Sequence, residues 1–169
     1  VKMGTRQVGS TAKPFTYAVA IENGMSPCFT VQNEPVTIST PGSPDWTPRS
    51  SGTIPGPITL QKALANSQNY VAAYLIREVG PTAVVNEIKK MGITSDVPAV
   101  PSISLGSFDA SIFEMVGAYA VFANKGAWTE PTFVTRIEDK NGVVLYESKP
   151  LVKIAMSEES AYVMTRMLR

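Results

Sequence analysis

The chain has no histidine and a single cysteine, Cys28. Without histidine it cannot assemble a Ser-His-Asp triad, and without a set of His and Cys ligands it cannot build a His/Cys zinc site. One cysteine also excludes an internal disulfide. Any serine nucleophile therefore needs another base, and a desolvated lysine is the usual substitute. Charge of one sign is scarce too: 15 Lys and Arg against 14 Asp and Glu leave a net +1, with no run of like charges. A nucleic-acid groove or polybasic membrane arm is not expected from that pattern. No apolar run approaches the roughly 20 residues of a membrane-spanning helix. The opening VKMGTRQ holds no apolar stretch of the signal-peptide kind. If the protein works outside the cytoplasm, its anchor or leader is expected beyond these residues. The first residue is Val1 and the last ones, MTRMLR, carry a helical pattern, so the chain reads as a piece of a longer protein.

What is present suits one globular domain or a large part of one: 169 residues, 44% of them hydrophobic. Phe15, Ala18 and Val19 recur at helical spacing between Thr11 and Ile21, with Pro14 in the first turn and Asn23-Gly24 as a stop. Residues 25–57 are rich in Pro, Ser, Thr and Gly and read as a long loop, with one strand expected around Val36 and Ile38. Helices are expected over Leu60–Ala65, Val71–Val79 and Thr82–Met91, the last two meeting at Gly80-Pro81. Ser111 and Glu114 form a capping-box pattern opening a helix from Ile112 to Asn124. Apolar residues wrap most of that helix, so a central, buried position is expected. Thr132–Ile137 and Val143–Tyr146 flank Asp139-Lys140-Asn141-Gly142, a hairpin signal, and Ser157 caps a final helix.

The residues that could carry chemistry begin with QVGSTAKPF, where Ser10 and Lys13 lie about one helical turn apart. On its own this spacing is ordinary, and a capping serine with a solvated lysine explains it. The chain also holds one Ser-x-Asn, Ser67 to Asn69, at another helix boundary. The two motifs together, in a chain without histidine, say more than either alone. Met115, Tyr119 and Phe122 are spaced as core, Trp46 and Trp128 read as packing residues in preference to the walls of a peptide groove, and Cys28 as an inert loop thiol.

GSTAKPFTY, PGPITLQKALANSQN and PSISLGSFDASIFEMVGAYAVFANKG resemble the transpeptidase domain of penicillin-binding proteins, most closely the bifunctional high-molecular-weight class. The resemblance covers nearly the whole chain. It implies an α+β fold of the penicillin-binding-protein and serine β-lactamase type, here its mostly helical part with a hairpin, most of the central antiparallel sheet lying outside the chain. It further implies that Ser10 attacks the carbonyl of a D-alanyl-D-alanine stem peptide, that Lys13 takes its proton, that Ser67 relays a proton to the departing nitrogen, and that Asn69 holds Lys13 and the substrate amide. The implied partners are peptidoglycan stem peptides and β-lactams, and no cofactor is implied. The implied location is the extracytoplasmic, periplasmic face of the bacterial cytoplasmic membrane, with the full-length protein membrane-anchored. Two departures stand out. No lysine is followed by Thr-Gly or Ser-Gly, the family's third motif, and Ser50 in WTPRSSG stands where related sequences have Asn. Residues 1–169 are thus expected to be a partial domain that does not acylate by itself. A carboxypeptidase or β-lactamase-like hydrolase, or a non-catalytic β-lactam sensor, remain the alternatives.

Overall fold

The computed structural model describes residues 4–40, 42 and 44–169; residues 1–3 and positions 41 and 43 of the long loop lie outside them. Strand β1 (Thr5–Gln7) runs into a 3-10 turn over Gly9–Ala12 and then helix α1 (Lys13–Glu22). Strands β2 (Thr30–Gln32) and β3 (Pro57–Thr59) follow, then helices α2 (Leu60–Ala65), α3 (Asn69–Val79) and α4 (Pro81–Lys90). A second 3-10 turn (Pro101–Leu105) precedes β4 (Asp109–Ser111) and α5 (Ile112–Ala123). The chain closes with β5 (Ala127–Thr129), the hairpin β6 (Arg136–Glu138) and β7 (Val144–Glu147), β8 (Val152–Ile154) and α6 (Glu158–Met167).

The centre of the core is α1. Its residues from Lys13 to Ile21 are all buried. Helices α3, α4 and α6 pack around it, and Phe15 meets Tyr119 edge-on and stacks on Phe122 of α5. Each large apolar side chain buried there contributes about 1.5–3 kcal/mol relative to exposure. The central role expected for α5 is therefore corrected. Gly117, Ala118, Val121 and Phe122 face inward, but Ile112 and Val116 are 68% and 65% exposed, because no element among the described residues covers that side. Periodicity reports how apolar a helix is, not which of its faces finds a partner.

The local signals fared well. Ser111 Oγ accepts from the Glu114 N–H while Glu114 accepts from the Ser111 N–H, completing the capping box. The α3/α4 corner turns at Gly80, whose φ of 83° favours glycine. The 139–142 turn is closed by Asp139, which accepts from the N–H groups of Asn141 and Val143. Its first strand is shorter than expected, beginning at Arg136.

Pairing across long sequence separations was not legible. All strand pairs among the described residues are two-stranded and antiparallel: β1 with β4, β2 with β3, β5 with β8 and β6 with β7. The strand expected around Val36 and Ile38 is instead a single bridge between Ile38 and Trp46. The real strand β2 lies earlier and closes the base of the long loop against β3.

Candidate active site

Ser10 sits in the 3-10 turn between β1 and α1, and that turn is clamped from three directions. β1 pairs with β4, setting Thr5 opposite Ser111. Past the strand, Val8 N–H donates to Phe108 O at 3.1 Å and Gly9 N–H to Gly106 O at 3.2 Å. On the other side Tyr119 Oη donates to Thr11 O at 2.7 Å. Ser10 itself is exposed. It caps neither the turn nor α1, and among the described residues its hydroxyl and N–H make no hydrogen bond. The capping explanation for Ser10 therefore does not hold, and both groups are free to face a ligand.

Lys13 is the first residue of α1 and is 1% exposed. Its amine donates to Ser67 O at 2.5 Å, Ser67 Oγ at 2.7 Å and Asn69 Oδ1 at 2.6 Å. Burial brings its pKa from 10.5 down to about 8, since desolvation penalises the charged form. A solvated lysine, the ordinary explanation of the spacing, is thereby excluded. Ser67 presents two oxygens to one amine because it adopts φ 52°, a left-handed conformation rare for a non-glycine residue. Such a conformation costs on the order of 1–3 kcal/mol and persists where surroundings enforce it. Asn69 turns its amide the other way, Nδ2 donating to Arg49 O at 2.7 Å. The side chain is thus shared between the lysine and the long loop.

The four residues singled out in the sequence converge. Ser10, Lys13 and Ser67 line one open cleft of about 450 Å³, together with Thr11, Tyr119 and the 167–169 segment, and Asn69 reaches the same amine from behind. No carboxylate lines this cleft among the described residues. Glu114 is occupied in its capping box, where its two oxygens also accept from Thr94 and Ser95. Burial alone would raise its pKa, but these hydrogen bonds outweigh that and bring it to about 2. Glu87 is buried on α4 beside Lys90, at 3.3 Å, and Glu138 pairs with Arg136 on the hairpin.

Several positioning groups were not found by sequence reasoning. Gly106 approaches Gly9 so closely that a Cβ on it would lie 2.0 Å from the Gly9 oxygen. Gln68, between Ser67 and Asn69, is buried and bonded to Asn33. Neither contact has a spacing signature, because the partners lie 97 and 35 residues apart.

The family description matching residues 3–169 is that of the penicillin binding protein transpeptidase domain. The chain belongs to this family. It is 38% identical over 148 residues, 86% of its length, to penicillin-binding protein 1A of Rickettsia conorii, of which it covers 19%. It is 37% identical over 166 residues, 96% of its length, to penicillin-binding protein 2D of Bacillus subtilis, of which it covers 24%. A solved structure of penicillin-binding protein 1A from Haemophilus influenzae matches with a TM-score of 0.89 at 27% identity, over 99% of this chain and 30% of that one. The chain thus spans about a fifth to a quarter of these curated relatives.

Proposed function

We propose that these residues supply the nucleophile, the base and the proton relay of a peptidoglycan DD-transpeptidase. The three donated bonds use all three hydrogens of the ammonium form. Once deprotonated, Lys13 keeps at most two of them, and its lone pair accepts the Ser10 proton as Ser10 Oγ bonds to the carbonyl carbon of the penultimate D-alanine. The tetrahedral intermediate collapses, the peptide bond breaks, and the proton passes from Lys13 through the Ser67 hydroxyl to the departing D-alanine nitrogen. The amine of a second stem peptide then attacks the acyl-enzyme carbonyl, the ester bond to Ser10 breaks, and the proton the amine gives up returns through Lys13 to Ser10 Oγ as the cross-linking amide forms. Penicillin would acylate Ser10 by the same first step, its opened ring staying attached.

The single observation carrying this reading is the buried Lys13 amine, held by Ser67 and Asn69 and shifted toward neutrality at the mouth of the Ser10 cleft. A base with a pKa near the working pH is the most effective proton acceptor. The free Ser10 N–H offers one oxyanion donor, a type of contact whose loss costs roughly 10²- to 10³-fold. We read residues 1–169 as part of the transpeptidase domain, carrying Ser-x-x-Lys and Ser-x-Asn. The Lys-Thr/Ser-Gly strand, with its second oxyanion donor, belongs to other sequence of the full protein. The isolated chain is accordingly expected to acylate poorly. The full protein would act at the extracytoplasmic face of the membrane, anchored by another segment, where its stem-peptide substrates are.

The test is labelling of the full-length protein with a fluorescent penicillin. Stable stoichiometric labelling that Ser10→Ala removes is the expected result. Rapid release of the label would support the hydrolase, and labelling that survives Ser10→Ala would overturn the assignment.

A further inference from the structure

The three acceptors on Lys13 belong to the turn between α2 and α3, and the middle residue of that turn points away from the cleft. Gln68 is 4% exposed. Its Oε1 accepts from Asn33 Nδ2 at 2.6 Å and from Ile54 N–H at 3.0 Å. Its Nε2 donates to Asn66 O at 2.9 Å and to Gly52 O at 3.4 Å. Asn33 is 5% exposed; its Nδ2 also donates to Ile54 O at 2.7 Å and its N–H to Gly56 O at 3.1 Å. Residues 49–56, the returning arm of the long loop, are thus tied to the turn through Gln68, Asn33 and the Asn69–Arg49 bond.

Such an arrangement is more than a packed loop needs. Two amides taken wholly out of water require partners for nearly every polar atom, and Asn33 still leaves its own Oδ1 buried and unpaired. Apolar residues would cover the loop base without that cost. What the amides supply is direction: each bond fixes an orientation as well as a distance. The residue oriented first is Ser67, whose φ of 52° is unfavourable unless its neighbours hold it. Gln68 is that neighbour in the chain, and Asn69 flanks it on the other side.

We propose that Gln68 and Asn33 are positioning residues for the Lys13 amine: their paired amides brace residues 49–56 against the turn and keep Ser67 O, Ser67 Oγ and Asn69 Oδ1 converging on it. This rests on Lys13 serving as the base. The long loop is then a splint for the base, and the middle position of Ser-x-Asn has a task without touching substrate. Loosening the brace lets the turn relax and water reach the amine, which undoes the burial that keeps Lys13 near neutrality.

The experiment measures the second-order acylation rate of the full-length protein by a fluorescent penicillin across pH. It compares the wild type with Gln68→Met, which removes all four bonds, and Asn33→Ala, which leaves Gln68 its bonds to Ile54, Asn66 and Gly52. Thermal unfolding is recorded for each, and Asn33→Ala, the milder change, carries the test if Gln68→Met does not fold. The expected result is a loss of about 10- to 100-fold near neutral pH, the scale of a small misplacement of a reacting group. The rising limb of the profile is expected to move to higher pH. Wild-type rates, or an equal loss at every pH with the limb unmoved, would overturn the proposal, because a merely structural role predicts no movement of that limb. Lys13→Ala serves as the control: if it acylates normally, the assignment of the base fails, whereas the brace fails by itself if Lys13→Ala is inactive and the two variants keep the wild-type profile.

Discussion

Gly106 and Gly9 lie backbone against backbone, the Gly9 N–H donating to Gly106 O at 3.2 Å, with room for no Cβ on Gly106. Gly106 also holds φ 78°. Gly106→Ala therefore meets two penalties, a left-handed conformation costing about 1–2 kcal/mol and a backbone collision that displaces the turn carrying Ser10. Gly24→Ala, at φ 88° with nothing within 4 Å, meets only the first. Both variants should melt lower, but only Gly106→Ala should also slow penicillin acylation of the full-length protein. Equal acylation rates in the two would contradict the clamp.

The Lys13 amine titrates near 8 because it is buried. In the proposed role of general base it acts when neutral, and its neutral fraction grows as pH rises. The acylation rate should climb about tenfold per pH unit below 8 and level off above. Lys13→Arg, whose guanidinium does not deprotonate, should lose about 10²- to 10⁴-fold. A flat profile between roughly pH 6 and 9 would remove Lys13 from the role.

Tyr119 joins α5 to the turn that carries Ser10. Its hydroxyl donates to Thr11 O at 2.7 Å, and its ring packs edge-on against Phe15 and Phe122. Tyr119→Phe keeps the ring contacts and removes one hydrogen bond, worth about 0.5–1.5 kcal/mol. The expected outcome is a modest drop in melting temperature with acylation slowed several-fold. Tyr119→Leu, which also loses the ring contacts, should lose more stability. A Tyr119→Phe variant that matches the wild type while Tyr119→Leu does not would place the effect in packing and not in the hydroxyl.

Glu114 binds donors from Ser111, Thr94 and Ser95 and holds its proton only near pH 2. A carboxyl whose folded pKa is depressed stabilises the fold above its unfolded pKa, about 4.3, and that contribution is lost as pH falls toward 2. Glu114→Gln should therefore destabilise by about 1–2 kcal/mol at neutral pH, the scale of a lost cap. The gap between variant and wild type should close in acid. Melting curves from about pH 7 to 2 test it, and a gap independent of pH would mean that charge is not what matters.

Much of the site was legible before the fold was. Ser10 and Lys13 share one short motif, and Ser67 and Asn69 another, because each pair is fixed by a local turn. Without histidine, lysine is the base left to a serine nucleophile. Caps and corners were equally readable at Ser111, Glu114 and Gly80, since neighbours in sequence satisfy the same backbone groups. By contrast α5 was placed at the centre where α1 stands, and β8 was missed. Which apolar face is covered depends on elements far away in the chain.

The sequence by itself determined which residue types were available for acyl transfer and in what local order: a serine, a lysine one turn on, and a second serine and asparagine on a separate turn. Only the tertiary structure decided that the lysine is buried, that Ser67 takes a left-handed conformation to meet it, and that Gly106, Tyr119, Gln68 and Asn33 hold the two turns in place. The physical reason is that desolvation and hydrogen-bond direction arise from groups brought together across tens of residues, and a spacing pattern reaches only a few.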